Sequence, residues 1–240
     1  MAAGFTRRDV VFAVLGAFFL TNALVAELAG GKVIFVGPAT WTLFGDRLAA
    51  TVGVMLWPVV FITTDLVNEY FGRAGVRRLS FLTAGMIAYV FVLLQVLRLP
   101  PSAGFPNTVP DAAFDAVFGQ SQWIIVGSLL AFLVGQFVDV AVFHRLRRIS
   151  GPRALWLRST GSTVVSQLID TLVVLWVGLG WPNGWDLATF ARVAVPNYLI
   201  KLVLAVAMTP AIYLVHWAVE RYLGRRLAED LAQAAAQESA

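Results

Sequence analysis

The sequence predicts an all-α integral membrane protein with six transmembrane helices, both termini cytoplasmic, and a short amphipathic helix in an outer loop. Three observations predict it. Apolar stretches at 10–28, 48–71, 79–97, 122–143, 160–179 and 193–219 each run about 19 to 27 residues, and a helix rising about 1.5 Å per residue needs about 20 to cross a ~30 Å hydrocarbon core. Composition excludes one large soluble core. The 240 residues are 59% hydrophobic and 13% charged, with mean hydropathy +0.76, whereas a soluble domain carries about 25% charged residues. The cations are also unevenly placed. Arg7 and Arg8 precede the first stretch, and Arg73, Arg77 and Arg78 follow the second. Arg145, Arg147, Arg148, Arg153 and Arg158 follow the fourth; Arg221, Arg225 and Arg226 follow the sixth. Only Lys32, Arg47, Arg98 and Arg192 fall on the opposite side. This asymmetry is the positive-inside pattern, and it places the chain in the cytoplasmic (inner) membrane.

The elements follow in order. The first stretch is too long for a signal-peptide core and lacks an A-x-A cleavage site, so it reads as a true first helix. The loop GGKVIFVGPATWTLFGDR, 30–47, is β-branched and aromatic around Gly37-Pro38 and reads as a re-entrant or hairpin-like segment. Residues 99–121 are Pro-rich and turn helical at 111–118. There Phe114, Val117 and Phe118 oppose Asp111 and Asp115, as in a short helix lying on a membrane. The third outer loop holds Trp181, Trp185 and Asp186. One membrane domain covers 1–226, and the polar, Ala-rich 227–240 reads as a frayed or disordered tail.

Charges inside apolar segments carry the functional reading, because they usually face a partner, a cavity or a pathway. In the fifth stretch Ser159, Thr163, Ser166, Gln167 and Asp170 recur at spacings of three and four, on one helical face. Asp170 lies about ten residues, or roughly 15 Å, from Thr160, close to mid-bilayer. Asn197 and Lys201, four apart on the sixth stretch, reach a similar depth. Asp170 and Lys201 are thus mutual partners: either a buried pair that only ties two helices, or part of a polar pocket with Gln167 and Asn197. Asn22 and Glu27 of the first stretch, five residues apart, cannot both point into that pocket; Asn22 is the deeper, and Glu27 could instead pair with Lys32. Asp65, Asn68 and Glu69, beyond Pro58, share a face near the inner end of the second stretch, and Gln136 and Asp139 sit similarly on the fourth. Pairing of Asp65, Glu69 and Asp139 with Arg73, Arg145 and neighbouring arginines would form a cytoplasmic charge latch, a gate on the inner side; the alternative is a set of static salt bridges.

Other chemistries find little support. There is no cysteine, no H-E-x-x-H and no Walker A sequence. His144 and His216 both fall at the inner interface, and Ser166 has no histidine at its depth, which argues against an intramembrane hydrolase. The scattered acids do not suit a Mg²⁺-dependent lipid enzyme, so neither an enzymatic role nor a metal or cofactor is expected.

Four runs together carry a resemblance. FITTDLVNEYFGRAGVRR at 61–78 resembles the D-x-x-x-E-x-(Y/F)-G signature of the queuosine precursor transporters, also called vitamin-uptake-like transporters. GQFVDVAVFHRLRR, WLRSTGSTVVSQLIDT and NYLIKLVLAVAMTPAIY are similar to the family's later segments in order, and Asn22 stands where the family has an Asn in its first helix. Val76 departs from the family's usual Ala. The resemblance implies import of a 7-deazaguanine base, preQ0 or preQ1, for queuosine synthesis in tRNA. It also implies a six-helix fold similar to the substrate-binding components of energy-coupling-factor transporters. The residues suit such a base: a carboxylate accepts from its two adjacent N–H donors, and a Lys or amide donates to its carbonyl. Asp170, Gln167, Asn197 and Lys201 supply that set. The expected partners are therefore a small purine-like substrate and the bilayer, with no nucleic acid, and the protein acts alone or as a homo-oligomer. The competing reading is a vitamin-binding subunit that needs a separate ATP-hydrolysing partner.

Overall fold

The computed structural model describes residues 5–119, 122–150 and 155–237; Arg153 lies outside the described residues. Helix α1 (Arg7–Leu28) starts at a capping box, in which Thr6 and Asp9 satisfy each other's backbone N–H groups. Its buried stripe, Val11, Leu15, Phe19, Ala23 and Ala26, keeps a spacing of three or four and ends at Glu27.

The segment expected to be hairpin-like forms two small antiparallel ladders. Strand β1 (Val33–Phe35) pairs with β4 (Ala49–Thr51), and β2 (Thr42–Leu43) pairs with β3 (Asp46–Arg47). The inner turn has positive φ at both Phe44 (56°) and Gly45 (89°), the geometry of a type I′ turn. A Cβ on Gly37 would meet the Trp41 ring at 2.3 Å, so only glycine lets the loop fold over that indole.

The second and third apolar stretches are joined rather than separate. Helix α2 (Trp57–Leu97) carries both, interrupted at Gly72, whose φ of 66° and ψ of −168° suit glycine almost alone. Forty-one helical residues would extend about 60 Å if straight, twice the hydrocarbon thickness; the break divides α2 into a shorter arm before Gly72 and a longer one after it. The expected surface helix appears as α3 (Asp111–Phe118). It is followed by α4 (Gln122–Ser150) and α5 (Leu155–Leu175), the latter continuing as one π-helical turn through Gly180.

The sixth stretch also differs from its sequence reading. It is divided at Met208 into α6 (Leu187–Ala207) and α7 (Thr209–Leu223), because Pro210 cannot supply the N–H that would continue the helix. Among the described residues, five helical segments are long and apolar enough to cross a membrane: Arg7–Leu28, Val52–Leu97, Asp111–Ser150, Leu155–Gly180 and Leu187–Ala207. Helix α8 (Arg225–Gln237) reaches into 227–240, expected as a frayed helix or disordered tail, and buries Ala228, Leu231 and Ala235.

Packing then places the site. Phe19, Val60, Leu66, Val67, Tyr70, Leu79, Ile87, Phe132 and Leu231 lie in one core that joins α1, α2, α4 and α8. Helices α4 and α5 approach through glycine: a Cβ on Gly127 would lie 2.8 Å from the Gly178 nitrogen, and one on Gly135 would lie 3.4 Å from Asp170 Cβ. Outward faces such as Phe81, Leu82, Tyr89, Val92 and Val96 stay exposed, as lipid-facing positions do.

Candidate functional site

Between α1, the hairpin, α4, α5 and α6 lies a cavity of about 330 Å³, within the ~300–1,000 Å³ typical of small-molecule sites. Its charged wall is built from three helices. Asp170 of α5 and Lys201 of α6 form an ion pair at 2.6 Å, each side chain about a tenth exposed. Glu27, at the end of α1, faces the same space, with the Ser128 hydroxyl of α4 as its hydrogen-bond partner. Gly135 permits this arrangement by letting α4 pass close to Asp170. Asn197 and Thr171 complete the polar lining, and Trp57, Val54 and Leu175 supply apolar surface.

Lys201 and Trp57 also line a second, much narrower cavity, of about 20 Å³, together with Gln167, Asp65 and Ser159. Gln167 is 2% exposed and its Oε1 has no hydrogen-bond partner. The sequence-predicted Gln167, Asp170, Asn197 and Lys201 are thus brought to two adjoining spaces, with Lys201 common to both. Asn22 is not among them: its Nδ2 donates to the Phe18 carbonyl of its own helix at 2.8 Å. The roughly 140° between Asn22 and Glu27 resolves in favour of Glu27 as the residue at the cavity.

In the second group, toward the arginine-rich end, Glu69 meets arginines neighbouring Arg145 in sequence rather than Arg145 or Arg73 themselves. Glu69 pairs with Arg158 of α5 at 2.9 Å and lies 3.6 Å from Arg147 of α4. Arg73 and Arg145, expected as the cations of the latch, are exposed and lie beyond ion-pair distance of Asp65, Glu69 and Asp139. The reason is rotational. On α2, Arg73 follows the break at Gly72 and turns outward, lining a groove with Arg77, Ser80 and Gln136. Arg147 is further anchored by donating to the Ala232 carbonyl of α8 at 2.8 Å. Asp65 accepts from Ser159, and Asp139 accepts from Ser166 at 3.0 Å. His144, expected at the interface, is fully buried, while His216 hydrogen-bonds Tyr70 at 2.9 Å.

Sequence reasoning missed Ser128, Thr171, Trp57 and the buried role of Arg158. Thr171 adjoins Asp170 and Ser128 is a lone hydroxyl in an apolar run, so neither stands out. Arg158 reads as one more loop cation, although it directly precedes Ser159 of the polar stripe.

A multi-helix membrane protein with a ligand-sized cavity walled by an intramembrane ion pair has the makings of a solute transporter or binding subunit. Comparison with known proteins narrows this class. Residues 51–215 match the family model described as "Putative vitamin uptake transporter", and the chain belongs to that family. A Bacillus subtilis relative named "Probable queuosine precursor transporter" is 34% identical over 179 residues, 72% of this chain and 74% of its own. The "Queuosine precursor transporter" of Escherichia coli is 28% identical over 165 residues, covering 68% and 71%. A Haemophilus influenzae protein named "Probable queuosine precursor transporter" is 26% identical over 160 residues, covering 66% and 65%. No solved structure matches the chain.

Proposed function

We propose that this chain imports a queuosine precursor, a 7-deazaguanine base such as preQ0 or preQ1, across the cytoplasmic membrane, and that it is a transporter and not an enzyme. The observation that carries the reading is the Asp170–Lys201 pair, open to a cavity of about 330 Å³ with Glu27 on the opposite helix, in a chain whose relatives bear this substrate's name. The two arms of α2 count as separate crossings, so that α1, both arms of α2, α4, α5 and α6 give six, with both termini cytoplasmic. The excess of arginine at one end supports this orientation.

In this account the cavity is the outward-facing substrate site. Asp170 and Glu27 accept from the base's adjacent N–H donors, Lys201 donates to its carbonyl oxygen, Asn197 adds an amide contact, Gln167 faces the adjoining narrow cavity, and Trp57 stacks on the flat ring. The inner gate is the cluster in which Glu69 holds α2 to α4 and α5 through Arg147 and Arg158. Asp65 and Asp139 lie along the route, and Arg73 and Arg145 border its inner mouth.

The test is queuosine in tRNA. In cells dependent on external precursor at limiting concentration, deleting the gene lowers tRNA queuosine, and the wild-type gene restores it while Asp170→Asn does not. Unchanged tRNA queuosine in the deletion strain contradicts the reading.

A further inference from the structure

Asp65 and Asp139 are partnered differently from Asp170 and Glu69. Those two lie against Lys201, Arg158 and Arg147. Asp65 and Asp139 are 1% and 0% exposed, and among the described residues neither has a Lys, Arg or His within ion-pair distance. Hydroxyl groups serve instead, Ser159 for Asp65 and both Ser162 and Ser166 for Asp139. One oxygen of each, Asp65 Oδ1 and Asp139 Oδ2, has no hydrogen-bond partner. Asn68, fully buried one turn from Asp65, has none at either amide atom. A carboxyl group deep in a membrane protein without a counter-charge is a usual station for a proton.

The position of the pair fits a pathway. Asp65 lines the narrow cavity directly beneath the proposed substrate site, where Lys201 and Trp57 border both spaces. On the other side, Gln136 accepts from Thr64, the neighbour of Asp65, and lies one turn from Asp139. Gln136 and Ser80 in turn line a groove of about 430 Å³ with Arg73 and Arg77. Polar atoms therefore lead from one cavity past both carboxyls to the other. The charged and titratable groups around them are Glu69 on α2, Arg147 and His144 on α4, Arg158 on α5, Lys201 across the narrow cavity on α6, and His216 of α7 against Tyr70.

The geometry points to Asp65 and Asp139 as the coupling site of the protein, a carboxyl pair that carries one proton inward with each substrate molecule. This rests on the transport reading above. The proton comes from water of the outer cavity and forms an O–H bond on a carboxylate oxygen. That bond breaks when the inner groove is open, and the proton passes to water there. The hydroxyls of Ser159 and Ser166 rotate to donate to whichever oxygen is charged.

The experiment uses purified protein in sealed liposomes with the membrane potential clamped. The probe is preQ0, which has no basic aminomethyl group to be trapped by a pH gradient, with protein-free liposomes as the blank. With the interior one pH unit more alkaline, one-proton symport gives about tenfold accumulation, because one pH unit is a tenfold proton ratio, and none at matched pH. Asp65→Asn and Asp139→Asn lose the accumulation but retain preQ0 binding by calorimetry and preQ0 exchange across the membrane, two readouts that a misfolded variant would fail. Wild-type uptake that ignores the pH gradient, or that follows a Na⁺ gradient instead, overturns the proposal and leaves the transport reading standing. Failure of wild-type protein to bind either preQ0 or preQ1 overturns both.

Discussion

Asp170 is the residue with the least freedom to change. Lys201 engages its Oδ2 at 2.6 Å, which leaves Oδ1 to accept from a ligand. Asp170→Asn replaces that acceptor with a group that can present an opposing N–H. An unpaired donor in a dry site costs about 1–3 kcal/mol, so preQ1 affinity measured by calorimetry should fall roughly ten- to a hundredfold. The double change Asp170→Asn with Lys201→Met removes the stranded cation; binding as tight as wild type in both variants would make the pair structural. Glu69 is a different case. Glu69→Gln removes the carboxylate that Arg158, 1% exposed, and Arg147 both lie against. Breaking a buried pair from one side costs about 3–5 kcal/mol, and the melting temperature in detergent should drop accordingly. At this scale the sequence is informative where depth alone decides: Asp170 and Lys201 stand at matching depth on consecutive stretches and do meet. It is uninformative about Glu69, whose partners come from two other helices and depend on how each is rotated.

Among the elements, α2 and α6 show how local chemistry sets the frame of the site. Gly72 holds a conformation that side chains rarely adopt, so Gly72→Ala should destabilise by about 1–3 kcal/mol, seen as a lower melting temperature in detergent. The start of α6 is fixed by Asp186, whose carboxylate accepts from the Thr189 N–H at 2.8 Å; the Thr189 hydroxyl and this N–H hold its carboxyl below the usual range. Asp186→Ala removes that cap and should lower the melting temperature by the same measurement. The surface helix α3 is legible from its apolar face and its Pro110 start. The split of the sixth stretch is legible only in retrospect, from Thr209-Pro210. Helix α8 is the least legible element: its buried residues Ala228, Leu231 and Ala235 are mostly small, and an Ala-rich polar sequence gives no sign that Ala232 will anchor Arg147.

For the whole molecule, hydropathy identifies a multi-pass membrane protein but does not count its elements, since α2 joins two apolar stretches and Met208 divides a third. The orientation is testable apart from the chemistry: a reporter fused after Arg226 should behave as cytoplasmic, and a periplasmic signal there would reverse the topology. The central claim is that this single polypeptide moves the base by itself. Its most direct test is uptake of radiolabelled preQ1 into liposomes that contain only the purified chain, without nucleotide or any second protein. The account predicts uptake that saturates with preQ1, is competed by preQ0, and is lost in Asp170→Asn. Binding without uptake, with transport appearing only when an ATP-hydrolysing partner is added, would contradict it and make the chain a substrate-binding subunit.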